Sequence, residues 1–269
     1  MVRKIMFVFL TASVFVACTK NAITGRSQLK LVSESELQSM AVQEYQQFLS
    51  TNKVVAPSAD RDAEMVRRVG QRVASAVQQY YQQQGIADQL EGYKWEYNLV
   101  QSDEANAWCM PGGKIVVYSG LLPITQNEAA LAAVVGHEVS HALFQHSNER
   151  MSQSMIAQGL GSALSVALSN NPSQTSNLFM TAVGAGSQLG ILAFSRKDEL
   201  EADRYGLRWA AMAGYNPREA IALWQRMEKM AAGSKPPEFL STHPSEANRI
   251  QQLQKNMDEA LKYYKPVSK

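Results

Sequence analysis

The sequence predicts an α+β fold, mainly helical, with one small mixed β-sheet beside a helix that carries His137-Glu138-Val139-Ser140-His141. Three observations predict it. Most of the chain places apolar residues three and four apart behind helix-start signals. One interval, Tyr93 to Leu122, switches to alternation and β-branched residues. That interval ends directly before a capped helix that runs through the His137 to His141 motif. The 269 residues, 45% of them hydrophobic and 19% charged, suit a single globular domain with a substantial core. No internal repeat or low-complexity tail argues otherwise.

The first residues read as an export segment. Arg3 and Lys4 form a basic start, Ile5 to Val16 an apolar run too short to span a bilayer comfortably, and small Ala17 precedes Cys18. Residues 1–17 are therefore expected to be a signal peptide, residues 18–32 a tether, and residues 33–269 one domain. A Cys in this place resembles the lipobox of bacterial lipoproteins, in which the Cys is acylated and becomes the new N-terminus. Phe15 departs from the usual residue at its position, and a plain signal peptide with an incidental Cys is the alternative. Lipidated Cys18 followed by Thr19 implies a protein anchored to the outer membrane and facing the periplasm. Taking Arg3 and Lys4 from the 26 basic residues leaves 24 against 24 acidic ones. A neutral domain lacks the electrostatic footprint of a nucleic-acid binder, so nucleic acid is not expected as a partner. Of the two Cys, Cys109 would be left alone, buried and inert.

The elements follow in order. Ser33 and Glu36 make a capping box ahead of Leu37, Met40, Ala41, Tyr45 and Phe48 at helical spacing. Past Pro57, an amphipathic helix runs from about Asp60 to Gln83 and ends at Gly85. Trp95, Tyr97 and Leu99 alternate, Ile115 to Tyr118 are strand formers, and Pro111-Gly112-Gly113 turns between two strands. The edge of such a sheet can pair with the backbone of an extended peptide. Thr125 and Glu128 are expected to cap the next helix, which should run to about His146. Met155–Leu168 and Leu178–Phe194 are apolar pieces around Asn170-Asn171-Pro172, interrupted too often by polar residues to be membrane hairpins. They are expected to be close-packed helices or a mobile flap. Helices then follow from about Arg196 to Gly214 and from Asn216-Pro217 to Gly233. A last one carries Ile250, Leu253, Met257 and Leu261.

His137 and His141 stand four apart on one helix, which sets their side chains about 5–6 Å apart on one face. That separation lets two imidazoles reach one zinc ion. Glu138 then points towards the adjacent coordination position, where it can act as a general base. A catalytic zinc wants a third protein ligand. Glu199, within Arg196-Lys197-Asp198-Glu199-Leu200-Glu201-Ala202-Asp203, is the candidate, with Glu201 as its rival on another side of the helix. Asp203 shares the face of Glu199 and would accept the second ring N–H of a ligating His. Ala202 and Gly206 leave room for a neighbouring helix. The competing reading of this segment is an ordinary charged solvent face.

Four stretches then complete a pattern: Asn106 through Gly113, Gly136 through His141, Glu199 through Asp203, and Thr242-His243-Pro244 with Arg249. Together they resemble the gluzincin family of zinc metallopeptidases that includes the bacterial membrane protease HtpX, the CAAX prenyl proteases and the periplasmic peptidases BepA and LoiP. Thr24-Gly25-Arg26-Ser27-Gln28-Leu29 looks like the lipoprotein members. The resemblance implies one zinc ion per chain held by His137, His141 and Glu199, with Glu138 as general base and Asp203 behind the ligands. It implies peptide or unfolded-protein substrates, namely misfolded or damaged envelope proteins. His243 is expected either to occupy the open zinc position or to hydrogen-bond the oxyanion, and Arg249 to anchor its loop. His146, near the expected end of the metal helix, suits the helix dipole. The rival from another class is a chaperone or outer-membrane assembly factor with a latent zinc site. A purely structural zinc lipoprotein is weaker, since structural zinc favours Cys.

Overall fold

A computed structural model describes residues 18–157, 172–185, 194–231, 237–244 and 248–266. The expected signal peptide, most of the two apolar pieces between Met155 and Phe194, and the expected stop at Gly233 lie outside them.

The chain is mainly helical around a mixed four-stranded sheet, the α+β architecture that the sequence predicts. The sheet runs β3–β4–β6–β5: β3 is Val54–Val55, β4 Glu96–Val100, β5 Ala107–Met110 and β6 Lys114–Tyr118. Strands β4 and β6 are parallel and the other pairs antiparallel. The hydrophobic β5 and β6 are buried throughout, because helices cover both faces. Leu99, Ala107, Cys109, Ile115 and Val117 face one apolar cluster, with α2 (Arg61–Gln83) and α4 (Glu128–Leu143). The alternate residues Val100, Trp108, Met110, Val116 and Tyr118 face a second, with α1 (Glu34–Thr51) and α6 (Pro172–Val183). The two-residue period of a strand thus divides one sheet between two cores.

Several boundaries differ from expectation for local reasons. Thr125 does not cap α4. It closes the one-turn helix α3, Leu122–Thr125, its hydroxyl bonding back to the Leu122 carbonyl, and Gln126 then turns left-handed at φ 65°. Asn127 is the cap, accepting the Ala130 N–H at 2.8 Å. Helix α4 also stops at Leu143, because Gln145 turns left-handed at φ 55°. His146 accordingly opens a new helix, α5 (His146–Ala157), and does not close the metal helix. Among the described residues no helix is long and apolar enough to cross a membrane.

The stretch expected as a tether is folded. Strands β1 (Cys18–Lys20) and β2 (Ser27–Leu29) form an antiparallel hairpin. Asn21 Oδ1 accepts the Ile23 and Thr24 N–H groups at its turn, an Asx motif that needs no distant partner. Buried Gln28 then donates to the Phe144 carbonyl at 2.8 Å and to Glu149 at 3.1 Å, docking the hairpin on the end of α4.

Helix α4 is central. From Ala130 to Leu143 every residue is buried, as a helix apolar on all sides requires. It lies against α7, Arg196–Met212, whose N-terminus is closed by a Ser195–Asp198 capping box. Contact between them is closest at Gly136 and Gly206. A Cβ on Gly136 would meet the Gly206 carbonyl oxygen at 2.7 Å, and one on Gly206 would meet the His137 backbone nitrogen at 2.8 Å. Any side chain at either position would force the two ligand-bearing helices apart. The remaining helices, α8 (Glu219–Ala231), the short α9 (Phe239–Thr242) and α10 (Arg249–Leu261), close over the outer side of this pair.

Candidate metal centre

One donor atom from each of His137, His141, Glu199 and His243 lies within 4.8 Å of the others, and all four residues are buried. His137 and His141 rise from one face of α4 with ring centroids 4.7 Å apart. Glu199 comes from the first turn of α7, brought near by the Gly136–Gly206 contact. His243 follows α9, its backbone N–H bonded to the Phe239 carbonyl at 2.9 Å.

The spacing fits zinc. Nε2 of His137 and Nε2 of His141 are 3.0 Å apart, and His137 Nε2 and His243 Nδ1 are 3.2 Å apart. Glu199 Oε1 is 3.4 Å from His141 Nε2 and 2.9 Å from His243 Nδ1. A tetrahedron of ligands at zinc's ordinary bond length has edges of about 3.3 Å. The donor set, three imidazoles and a carboxylate, is one that zinc takes. Burial lowers the pKa of His141 well below normal and that of His243 to about 4, the direction that favours the neutral imidazole a metal requires. Burial alone would raise the Glu199 pKa, but the positive charge facing it, of which the Arg249 guanidinium is the permanent part, outweighs burial and keeps the carboxylate well below its usual value.

Outside the donors, each His of α4 has a partner for its second nitrogen. Asp203, one turn beyond Glu199, meets His137 Nδ1 at 3.0 Å. Accepting an N–H there would leave the Nε2 lone pair free for a metal. Glu201 is not a ligand. It points away, to His146 at 2.8 Å and Arg26 at 3.1 Å, because two residues along a helix turn the side chain through about 200°. His146, buried at the start of α5, meets His141 Nδ1 at 2.8 Å. Its place at a helix N-terminus removes the expected dipole contact at a C-terminus.

Arg249 holds the acids of α7, while residues 245–247 of the loop it is expected to anchor lie outside the described residues. Arg249 is 1% exposed, donates to Asp203 Oδ1 at 2.7 Å and makes an ion pair with Glu199 Oε2 at 2.8 Å, without the alignment of a hydrogen bond. Its guanidinium lies 3.3 Å from the Trp224 ring centroid.

Glu138 completes the constellation. Its Oε1 is buried with no hydrogen-bond partner, 3.5 Å from His243 Nε2. Burial first, and the negative charge of Glu199 second, raise its pKa well above normal. Cys109 sits close enough for Glu138 to raise its pKa as well, although burial is the larger cause, and the thiol is neutral.

Two aromatic residues that sequence reasoning did not single out frame the donors. Phe239 stacks on His243 with centroids 4.3 Å apart. Phe194 stacks on His141 at 3.8 Å and lies 5.1 Å from His243, and Arg150 stacks on Phe194 at 3.8 Å. The adjacency of Phe194 to the Ser195 cap was the available signal, but nothing local says which ring it will meet.

The model of peptidase family M48 matches residues 61–257. The mitochondrial metalloendopeptidase OMA1 of Arabidopsis thaliana is 39% identical over 180 residues, 66% of this chain and 35% of the relative. OMA1 of Saccharomyces cerevisiae is 34% identical over 182 residues, 65% of this chain and 50% of the relative. The beta-barrel assembly-enhancing protease of Escherichia coli is 29% identical over 160 residues, 58% of this chain and 33% of the relative. The matches thus span half or less of these three relatives.

Proposed function

Because the chain belongs to peptidase family M48, we propose that it is a zinc-dependent endopeptidase that hydrolyses peptide bonds without a covalent intermediate. The observation that carries this reading is Glu138, a buried carboxyl group whose Oε1 has no hydrogen-bond partner, beside four convergent metal donors. His137, His141 and Glu199 would hold the ion, which would supply Lewis-acid activation of the attacking water and of the scissile carbonyl. Glu138 takes the proton of the attacking water and delivers it to the leaving amine. Asp203 keeps the His137 proton on Nδ1, and Arg249 keeps Glu199 ionised and in place.

Casein cleavage that disappears with 1,10-phenanthroline and returns with one equivalent of zinc is the expected result. Cleavage unaffected by the chelator would overturn the proposal.

Substrates on this reading are extended segments of misfolded or damaged envelope proteins. The protein works in the periplasm, held to the outer membrane by acylated Cys18. This finer reading rests on the leader, on Cys18 and on a relative whose name links it to beta-barrel assembly; the OMA1 relatives are mitochondrial by name. Labelled palmitate should enter the protein and be absent from Cys18→Ala; label retained by that variant removes the anchor.

His243 favours a second state of the same site. Its Nδ1 takes the fourth place among the donors, which a water must take for hydrolysis. We infer that His243 holds the enzyme latent, so His243→Ala should raise casein cleavage about tenfold, the factor of about 1.4 kcal/mol. A lower rate would make His243 an oxyanion donor instead, and an unchanged rate would remove both roles. If zinc is bound and neither protein cleaves, while client aggregation is suppressed, the chaperone or assembly-factor reading prevails.

A further inference from the structure

The two metal-binding imidazoles of α4 are supported in different ways. Asp203 supports His137 directly. Among the described residues His141 Nδ1 meets no carboxylate but the Nδ1 of His146, 2.8 Å away. Two imidazole nitrogens at that distance share one proton, so one donates and the other accepts. His141 must keep its Nε2 lone pair for the metal, which puts its proton on Nδ1. His146 Nδ1 is then the acceptor, and its own proton sits on Nε2, which donates to Glu201 Oε2 at 2.8 Å. Glu201 in turn accepts from Arg26 Nε at 3.1 Å.

We propose that His146 is a positioning residue for the metal ligand His141, orienting its ring through a relay that runs by Glu201 to Arg26 of the N-terminal hairpin. The proposal rests on the zinc-peptidase reading and deepens it. The relay is built for the purpose. His146 is fully buried, and its ring meets His141 edge-on with centroids 4.9 Å apart. Arg26 also bridges Glu149 of α5 at 2.8 Å and Asp198 of α7 at 2.6 Å. One guanidinium thus ties together the helix that carries His146 and the helix that carries Glu199. Asp198 Oδ1 lies 3.6 Å from His146 Nε2, beyond hydrogen-bond reach, and its negative charge favours the proton on that nitrogen. The hairpin brings Arg26 here through the docking of Gln28, so the segment following Cys18 becomes part of the metal centre.

The test is zinc affinity of the full chain, by competition with a chromophoric chelator, with urea unfolding of the metal-free proteins alongside. His146→Leu removes the acceptor and should weaken zinc binding by about 10–100-fold, the usual effect of losing such a partner. His146→Asn can present an amide oxygen near the position of Nδ1 and should restore affinity to within about threefold of the parent. The cobalt-substituted absorption bands should move in the Leu variant and return in the Asn variant. If His146→Leu does not fold, Glu201→Met against Glu201→Gln gives the same comparison, since only Gln keeps the acceptor oxygen. Equal zinc affinity in parent and His146→Leu overturns the positioning role alone. A loss that is the same in Leu and Asn and follows the metal-free stability also overturns it. Absence of zinc binding in the parent would instead overturn the metal-centre reading.

Discussion

Glu138→Gln should retain one equivalent of zinc and lose casein cleavage by about 10³-fold, within the range for removing a general acid–base group. The substitution changes little except charge and basicity. Glu138 is not among the convergent donors, so the metal should stay. Its Oε1 has no hydrogen-bond partner, so an amide in its place breaks no contact at that atom. What is lost is the carboxylate that shuttles the proton. Burial and Glu199 keep its pKa high in the protein alone, and a divalent cation in the cluster brings the opposite charge that favours ionisation. Zinc content by mass spectrometry and cleavage rate on the same sample check this. Turnover within tenfold of the parent would remove Glu138 as the base.

Arg249→Leu should destabilise the fold by about 3–5 kcal/mol, the cost of breaking a buried ion pair from one side. Arg249 faces both Glu199 and Asp203, and each of the three is no more than 4% exposed. Removing the guanidinium leaves two carboxylates in a low-dielectric interior with less positive charge to offset them. The loss also empties the contact with the Trp224 ring. Urea unfolding of the metal-free protein measures it, and adding Asp203→Asn should recover part of the deficit by removing one stranded charge. A loss below about 1 kcal/mol, the worth of a surface pair, would show that the triad is solvated.

Some of this was legible because it is local. The capping box at Ser33, the strand formers of Ile115 to Tyr118 and the shared face of Glu199 and Asp203 follow from composition and spacing alone, and the structure has them. Helix geometry also says that Glu199 and Glu201 cannot both aim at one point, and Glu199 is the one that shares the face of Asp203. The Thr125 boundary is not legible, because Pro123 allows a separate turn of helix whose left-handed exit competes with the capping box. Nor is the helix of His146, because a left-handed Gln145 leaves no mark in apolar periodicity.

The sequence by itself determined the kinds of donor, their spacing within each helix, and the two glycines that let those helices touch. Only the tertiary structure decided that His243, 102 residues beyond His141, completes the donor cluster and that Arg249 serves the acids of α7. It alone decided that Arg26 reaches across to Glu149, Asp198 and Glu201. The physical reason is range. Backbone geometry fixes neighbours one turn or one strand away, whereas partners far along the chain meet only where burial of apolar surface carries their elements.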